Sequence, residues 1–153
     1  MRNQAFRVEK PASGNFPAFA ARKFLQTQSV RVLIADDERA FATTFAALVE
    51  SCHHEVVDVV FSGLDAIRSY YRTRPDVVLL DYNMAKLNGL TACRNILSSD
   101  PKGRIVFLTG VGDEADLAPH ASGAVGFLQK PVKVEQLQQL LDKLDACPAS
   151  SGS

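Results

Sequence analysis

From Val30 onward the apolar residues fall into two alternating kinds of run. Val30–Ala35, Glu55–Val60, Asp76–Asp81, Arg104–Thr109 and Ala124–Leu128 are short, largely β-branched blocks, and they predict strands. The unbroken Val77-Val78-Leu79-Leu80 is the composition of a strand covered on both faces. Between the blocks, apolar positions recur at helical spacing. The sets are Phe41, Phe45, Leu48 and Val49; Leu64, Ile67 and Tyr71; Leu90, Cys93 and Leu97; and Val134, Leu137, Leu141 and Leu144. Ser62-Gly63 opens the second helix, Pro75 closes the connection after it, and the last helix starts near Lys133. Asp113–Leu117 begins a short helix that Pro119 ends or bends. Five strands alternating with five helices demand crossover connections, so the fold class is α/β, a doubly wound parallel sheet with helices on both faces.

Composition adds little to this and excludes a few classes. An apolar fraction of 46% with 22% charged residues is ordinary for a globular domain. No apolar run approaches the ~18 residues that span a bilayer. Arg2, Arg7, Glu9 and Lys10 interrupt the N-terminus before a secretory core can form, so the cytoplasm is the expected location. Residues 1–29 carry Pro11, Gly14 and Pro17 without a sustained period, and read as an extension, either flexible or a short docking helix over Phe16–Leu25. Residues 30–146 are the single domain, and 147–153 a flexible tail. The net charge is zero, but it divides into +4 over residues 1–29 and −4 beyond them. That arm lacks the dense basic run of a nucleic-acid binder. Cys52, Cys93 and Cys147 are odd in number and far apart, which suits reduced thiols, with Cys52 and Cys93 packed on helices. His53, His54 and His120 have no metal-ligand spacing, fall at positions read as exposed, and are assigned no role.

Open parallel sheets build their sites outside the carboxyl ends of the strands. Here the first strand ends in Asp36-Asp37-Glu38, the third in Asp81 and the fourth in Thr109, and Lys130-Pro131 follows the fifth. Core packing calls for none of these. Carboxylates brought within a few Å repel one another, and a hard divalent cation with oxygen ligands and retained waters, Mg²⁺, relieves the conflict. Asp81 is then the candidate nucleophile, since aspartate accepts phosphoryl groups. Lys130 can neutralise the incoming oxygens and Thr109 can hydrogen-bond one of them. Each group also has a plainer reading: Asp36 or Asp37 as a helix N-cap, Asp81 and Thr109 as turn residues, Lys130 as a surface lysine.

Taken in order, Val32-Leu33-Ile34-Ala35-Asp36-Asp37-Glu38, Pro75-Asp76-Val77-Val78-Leu79-Leu80-Asp81-Tyr82-Asn83-Met84, Leu87-Asn88-Gly89, Val106-Phe107-Leu108-Thr109-Gly110 and Gly123 to Pro131 resemble the receiver domain of two-component response regulators. The resemblance covers about residues 30–146 and implies a flavodoxin-like sheet of order 2-1-3-4-5. It implies Asp81 as phosphoacceptor, with Mg²⁺ (or Mn²⁺) held by Asp37 directly, by Asp36 mostly through water, by Asp81, and by the backbone carbonyl of Asn83. It also implies Thr109 and Phe127 as the switch pair, Lys130 as the charge partner, and a cis peptide at Lys130-Pro131. The implied partners are a histidine kinase or histidine phosphotransfer protein and a downstream protein. No nucleic-acid module or membrane span is read in the chain, and a monomer or weak dimer is expected.

Two departures from the family pattern and two flanking positions matter. Ala85 stands where the family usually has proline, and Phe127 lacks a tyrosine's hydroxyl. Asn83 and Val111 flank the route of water to the phosphoryl group, where an apolar Val111 cannot orient it. Two other readings stay open. One is an aspartate-nucleophile phosphatase resembling the haloacid dehalogenase group, although residue 38 is Glu and residue 39 Arg where its second Asp would stand. The other is a receiver that binds partners without phosphorylation.

Overall fold

The computed structural model describes residues 29–110 and 122–146. Over these it runs β1 (Arg31–Ala35), α1 (Arg39–Ser51), β2 (Glu55–Val60), α2 (Gly63–Thr73), β3 (Val77–Asp81), α3 (Gly89–Ser99), β4 (Ile105–Thr109), β5 (Gly126–Gln129) and α4 (Val134–Ala146). All five strands are parallel neighbours in one sheet, ordered β2-β1-β3-β4-β5. This is the expected flavodoxin-like arrangement. The short helix expected at Asp113–Leu117, together with Val111, Pro119, His120, residues 1–28 and the 147–153 segment, lies outside the described residues.

Alternation along the strands divides the interior into two cores. Val32, Ile34, Val77, Leu79, Val106 and Leu108 meet Ala42, Phe45 and Val49 of α1 and Leu137 and Leu141 of α4. Leu33, Ala35, Val78, Leu80, Ile105 and Phe107 meet Ala66 and Tyr70 of α2 and Ala92, Cys93 and Ile96 of α3 on the other face. Each fully buried Leu, Ile or Val contributes on the order of 1.5–3 kcal/mol. Every residue of β3 and β4 is buried, which explains why those two blocks read as continuous apolar runs. At the edge, β2 carries Asp58, which accepts from Ser69 Oγ at 2.6 Å and pairs with Arg72, tying α2 to that strand. A charge on an edge strand also discourages pairing with another chain.

The helix ends follow local chemistry. Ser62 Oγ accepts from Asp65 N at 3.1 Å, and Asn88 Oδ1 accepts from Thr91 N at 2.9 Å, each satisfying an otherwise open N–H. Arg74, in the left-handed region at φ 48°, ends α2 just before Pro75. β5 starts two residues later than its apolar block suggested. Its ladder opens at Val106–Gly126, and Val125 is 53% exposed despite its strand-forming type.

His54 differs from its expected exposure. Its ring is half-buried, and its Nδ1 accepts from Val30 N at 3.1 Å, joining the entries of β1 and β2. Burial lowers its pKa, against the opposing pull of Asp142 and Asp145. A His with a depressed folded pKa contributes stability above its unfolded pKa and loses it as pH falls through the folded value. His54→Ala should therefore cost about 1 kcal/mol at about pH 7.5, and the gap from the parent in urea melts should narrow towards about pH 5.5.

Candidate functional site

Backbone register fixes the site before any side chain does. Asp36 N donates to Val60 O at 3.1 Å, Tyr82 N to Leu108 O at 2.9 Å, and Lys130 N to Thr109 O at 2.7 Å. With the β1–β3 register of Ala35 opposite Leu80, these bonds set the carboxyl ends of β1, β3, β4 and β5 side by side. Alternation sends Asp81 to the α1 face of the sheet, opposite Leu80. The Lys130–Pro131 peptide is cis.

Asp36, Asp37 and Asp81 each offer a carboxylate oxygen, and these oxygens lie within 4.8 Å of one another. Asp36 is completely buried and Asp81 is 6% exposed, whereas Asp37 faces solvent. Lys130 Nζ donates to Asp36 Oδ2 at 2.6 Å and stands 3.6 Å from Asp81 Oδ1. Asp36 Oδ1 accepts from Glu38 N at 2.9 Å, and Asp37 Oδ2 from Ala85 N at 3.2 Å. Neither aspartate caps α1. The N-cap is Glu38, without a side-chain bond, because Asp36 turns back to hold the loop and Asp37 reaches across to the loop after β3.

Three carboxylates against one ammonium leave two negative charges uncompensated. The strain falls on Asp81, whose pKa is pushed up to about 7, first by burial and then by the Asp36 charge, while Lys130 and the Asn83 N–H pull it down. An all-oxygen cluster with this excess charge fits a hard divalent cation. Thr109 Oγ1, at the end of β4, is buried and has no hydrogen-bond partner among the described residues, and the same holds for Tyr71 Oη on α2. Such an oxygen costs about 1–3 kcal/mol unless something bonds it. Phe127, the other half of the expected switch pair, is 51% exposed and not packed into the core. Asn83 N donates to Asp81 Oδ1 at 3.3 Å.

Two participants did not stand out in the sequence. Gly89, the first residue of α3, approaches Asp81 so closely that a Cβ there would stand 2.2 Å from the Asp81 carbonyl oxygen. Its only sequence signal was its position after Leu87-Asn88. Phe41 looked like any apolar position of α1, yet its ring lies beside Lys130.

Comparison with known proteins agrees with this geometry. The response regulator receiver domain family matches residues 32–142. The chemotaxis protein CheY of Listeria monocytogenes is 29% identical over 115 residues, 74% of this chain and 97% of that protein. A protein-glutamate methylesterase/protein-glutamine glutaminase of Myxococcus xanthus is 38% identical over 123 residues, 76% of this chain and 35% of that longer protein. Among solved structures, a response regulator receiver domain protein from Clostridium thermocellum superposes with a TM-score of 0.72 at 27% identity, covering 77% of this chain and 95% of that one. The receiver domain of a Pseudomonas aeruginosa sensor histidine kinase, solved with a magnesium ion coordinated in its active-site cleft, gives 0.69 at 27% identity, covering 78% and 99%. The chain belongs to the response regulator receiver domain family. Membership implies a signalling rather than a catalytic role, and leaves the phosphatase reading without support.

Expectations follow for the charge cluster first and then for the packing beside it. Mg²⁺ should raise the thermal midpoint at about pH 7.5 and raise it less at about pH 5, because below its raised pKa Asp81 holds a proton against the cation. Without metal, Asp81→Asn should melt a few degrees above the parent, since one repelling carboxylate is gone. Secondly, Gly89→Ala should destabilise the fold by about 1–3 kcal/mol in denaturant melts, because the Asp81 carbonyl must give way.

Proposed function

We propose that Asp81 is the phosphoryl acceptor of this receiver domain, taking the group from a histidine kinase or histidine phosphotransfer protein in the cytoplasm. A carboxylate oxygen of Asp81 forms the new bond to phosphorus as the donor's P–N bond breaks, and the donor imidazole leaves with that electron pair. Asp36, Asp37, Asp81 and the Asn83 carbonyl would hold Mg²⁺ (or Mn²⁺), which when bound neutralises charge on the transferring oxygens. Lys130 moves its ammonium from Asp36 towards the phosphoryl group, and Thr109 Oγ1 donates to one of its oxygens.

The cluster of three carboxylates at the strand ends, with the Lys130 ammonium bonded to Asp36 and 3.6 Å from Asp81, is the observation that carries this reading. The new charge then draws Thr109 inward and biases the half-exposed Phe127 between outward and inward positions. Output passes through a downstream protein that distinguishes the two.

Incubation with acetyl phosphate and Mg²⁺ should add the mass of one phosphoryl group, a gain prevented by chelating the metal beforehand and absent from Asp81→Asn. Unchanged mass in the parent, or equal labelling of the Asn variant, would contradict the assignment.

A further inference from the structure

Lys130 is held by more than carboxylates. Its Nζ lies 4.4 Å from the centroid of the Phe41 ring, within the ~6 Å reach of a cation–π attraction. That ring is itself fixed: it stacks on Phe45 at 5.3 Å with 21° between the planes, and Phe45 is 3% exposed in the core beneath α1. A firm support thus rises from the hydrophobic core to the Lys130 ammonium beside the acidic cluster.

We propose that Phe41 is a positioning residue for phosphoryl transfer, holding the Lys130 ammonium in place while its hydrogen-bond partner changes. The inference rests on the phosphoryl-acceptor reading of Asp81. During transfer Lys130 must let go of Asp36 Oδ2, 2.6 Å away, and take up a phosphoryl oxygen on the Asp81 side, where it already stands 3.6 Å from Oδ1. A hydrogen bond is directional and is broken by that movement. The attraction to an aromatic face is not, because it depends on the ring quadrupole and survives a small sideways shift of the charge. The ring also covers one side of the ammonium, on a side chain only 24% exposed, which limits the room for water to replace the lost carboxylate.

Shape and charge can be separated at position 41. Leucine keeps an apolar side chain but removes the π face, whereas 3,4,5-trifluorophenylalanine, introduced at this position alone, keeps the ring and drains its negative face. The labelling rate of Asp81 at saturating acetyl phosphate and Mg²⁺ should fall in steps through Phe41, the 4-fluoro ring and the trifluoro ring. The loss should reach roughly five- to ten-fold for the last and for Phe41→Leu. In the metal-free protein, the ε-methylene protons of Lys130 should resonate upfield of other lysines because of the ring current, and return to the common position in Phe41→Leu.

Equal rates for the trifluoro and parent rings would reduce Phe41 to a packing residue and overturn the proposal. So would Lys130 signals indifferent to Phe41→Leu. A parent that takes no phosphoryl group defeats the Asp81 reading instead, and the metal-free Lys130 signals still report whether the ring holds the ammonium.

Discussion

A fully buried carboxylate, Asp36, bonded to a single partly buried ammonium is the interaction on which this molecule turns. Removing one partner of a buried pair leaves an uncompensated charge and commonly costs about 3–5 kcal/mol. Here the pair is also outnumbered, because Asp81 and Asp37 add negative charge within reach of the same lysine. The protein therefore folds with an unresolved electrostatic conflict at one edge, of the kind a bound cation relieves. The raised pKa of Asp81 expresses that conflict.

The sheet makes the conflict possible. Parallel strands end at one edge, and the cross-strand bonds at Asp36, Tyr82 and Lys130 hold those ends in register. Two apolar cores, one on each face, supply the stability that lets the edge remain strained. Phe45 belongs to one of those cores and carries Phe41, so packing under α1 extends to the charge that serves the site.

Most of this was legible in the chain, for definite reasons. Strand blocks such as Val77–Leu80 and helix spacings such as Leu137–Leu141 depend on burial alone, and the fold has them where periodicity put them. Asp36, Asp37, Asp81, Thr109 and Lys130 stood out because polar residues at the ends of buried strands have no packing role. Contacts that depend on a third dimension did not show. His54 reads as a polar residue between elements until its ring meets the Val30 N–H. Gly89 reads as a helix start until α3 is seen pressed against Asp81. Nothing in apolar spacing distinguishes the Phe41 ring from its core neighbours. The N-cap expectation for Asp36 or Asp37 failed because both carboxylates bond loop N–H groups instead.

One edge of the sheet, then, gathers three carboxylates and the Lys130 ammonium, and the proposal is that a divalent cation binds there while Asp81 receives a phosphoryl group. A crystal structure grown with Mg²⁺ and beryllofluoride tests this most directly. The fluoride group should sit on an Asp81 oxygen, bonded by Thr109 Oγ1 and Lys130 Nζ, with the metal among Asp36, Asp37 and the Asn83 carbonyl. Beryllofluoride and metal bound elsewhere, or an edge left without either at saturating concentrations, would contradict it.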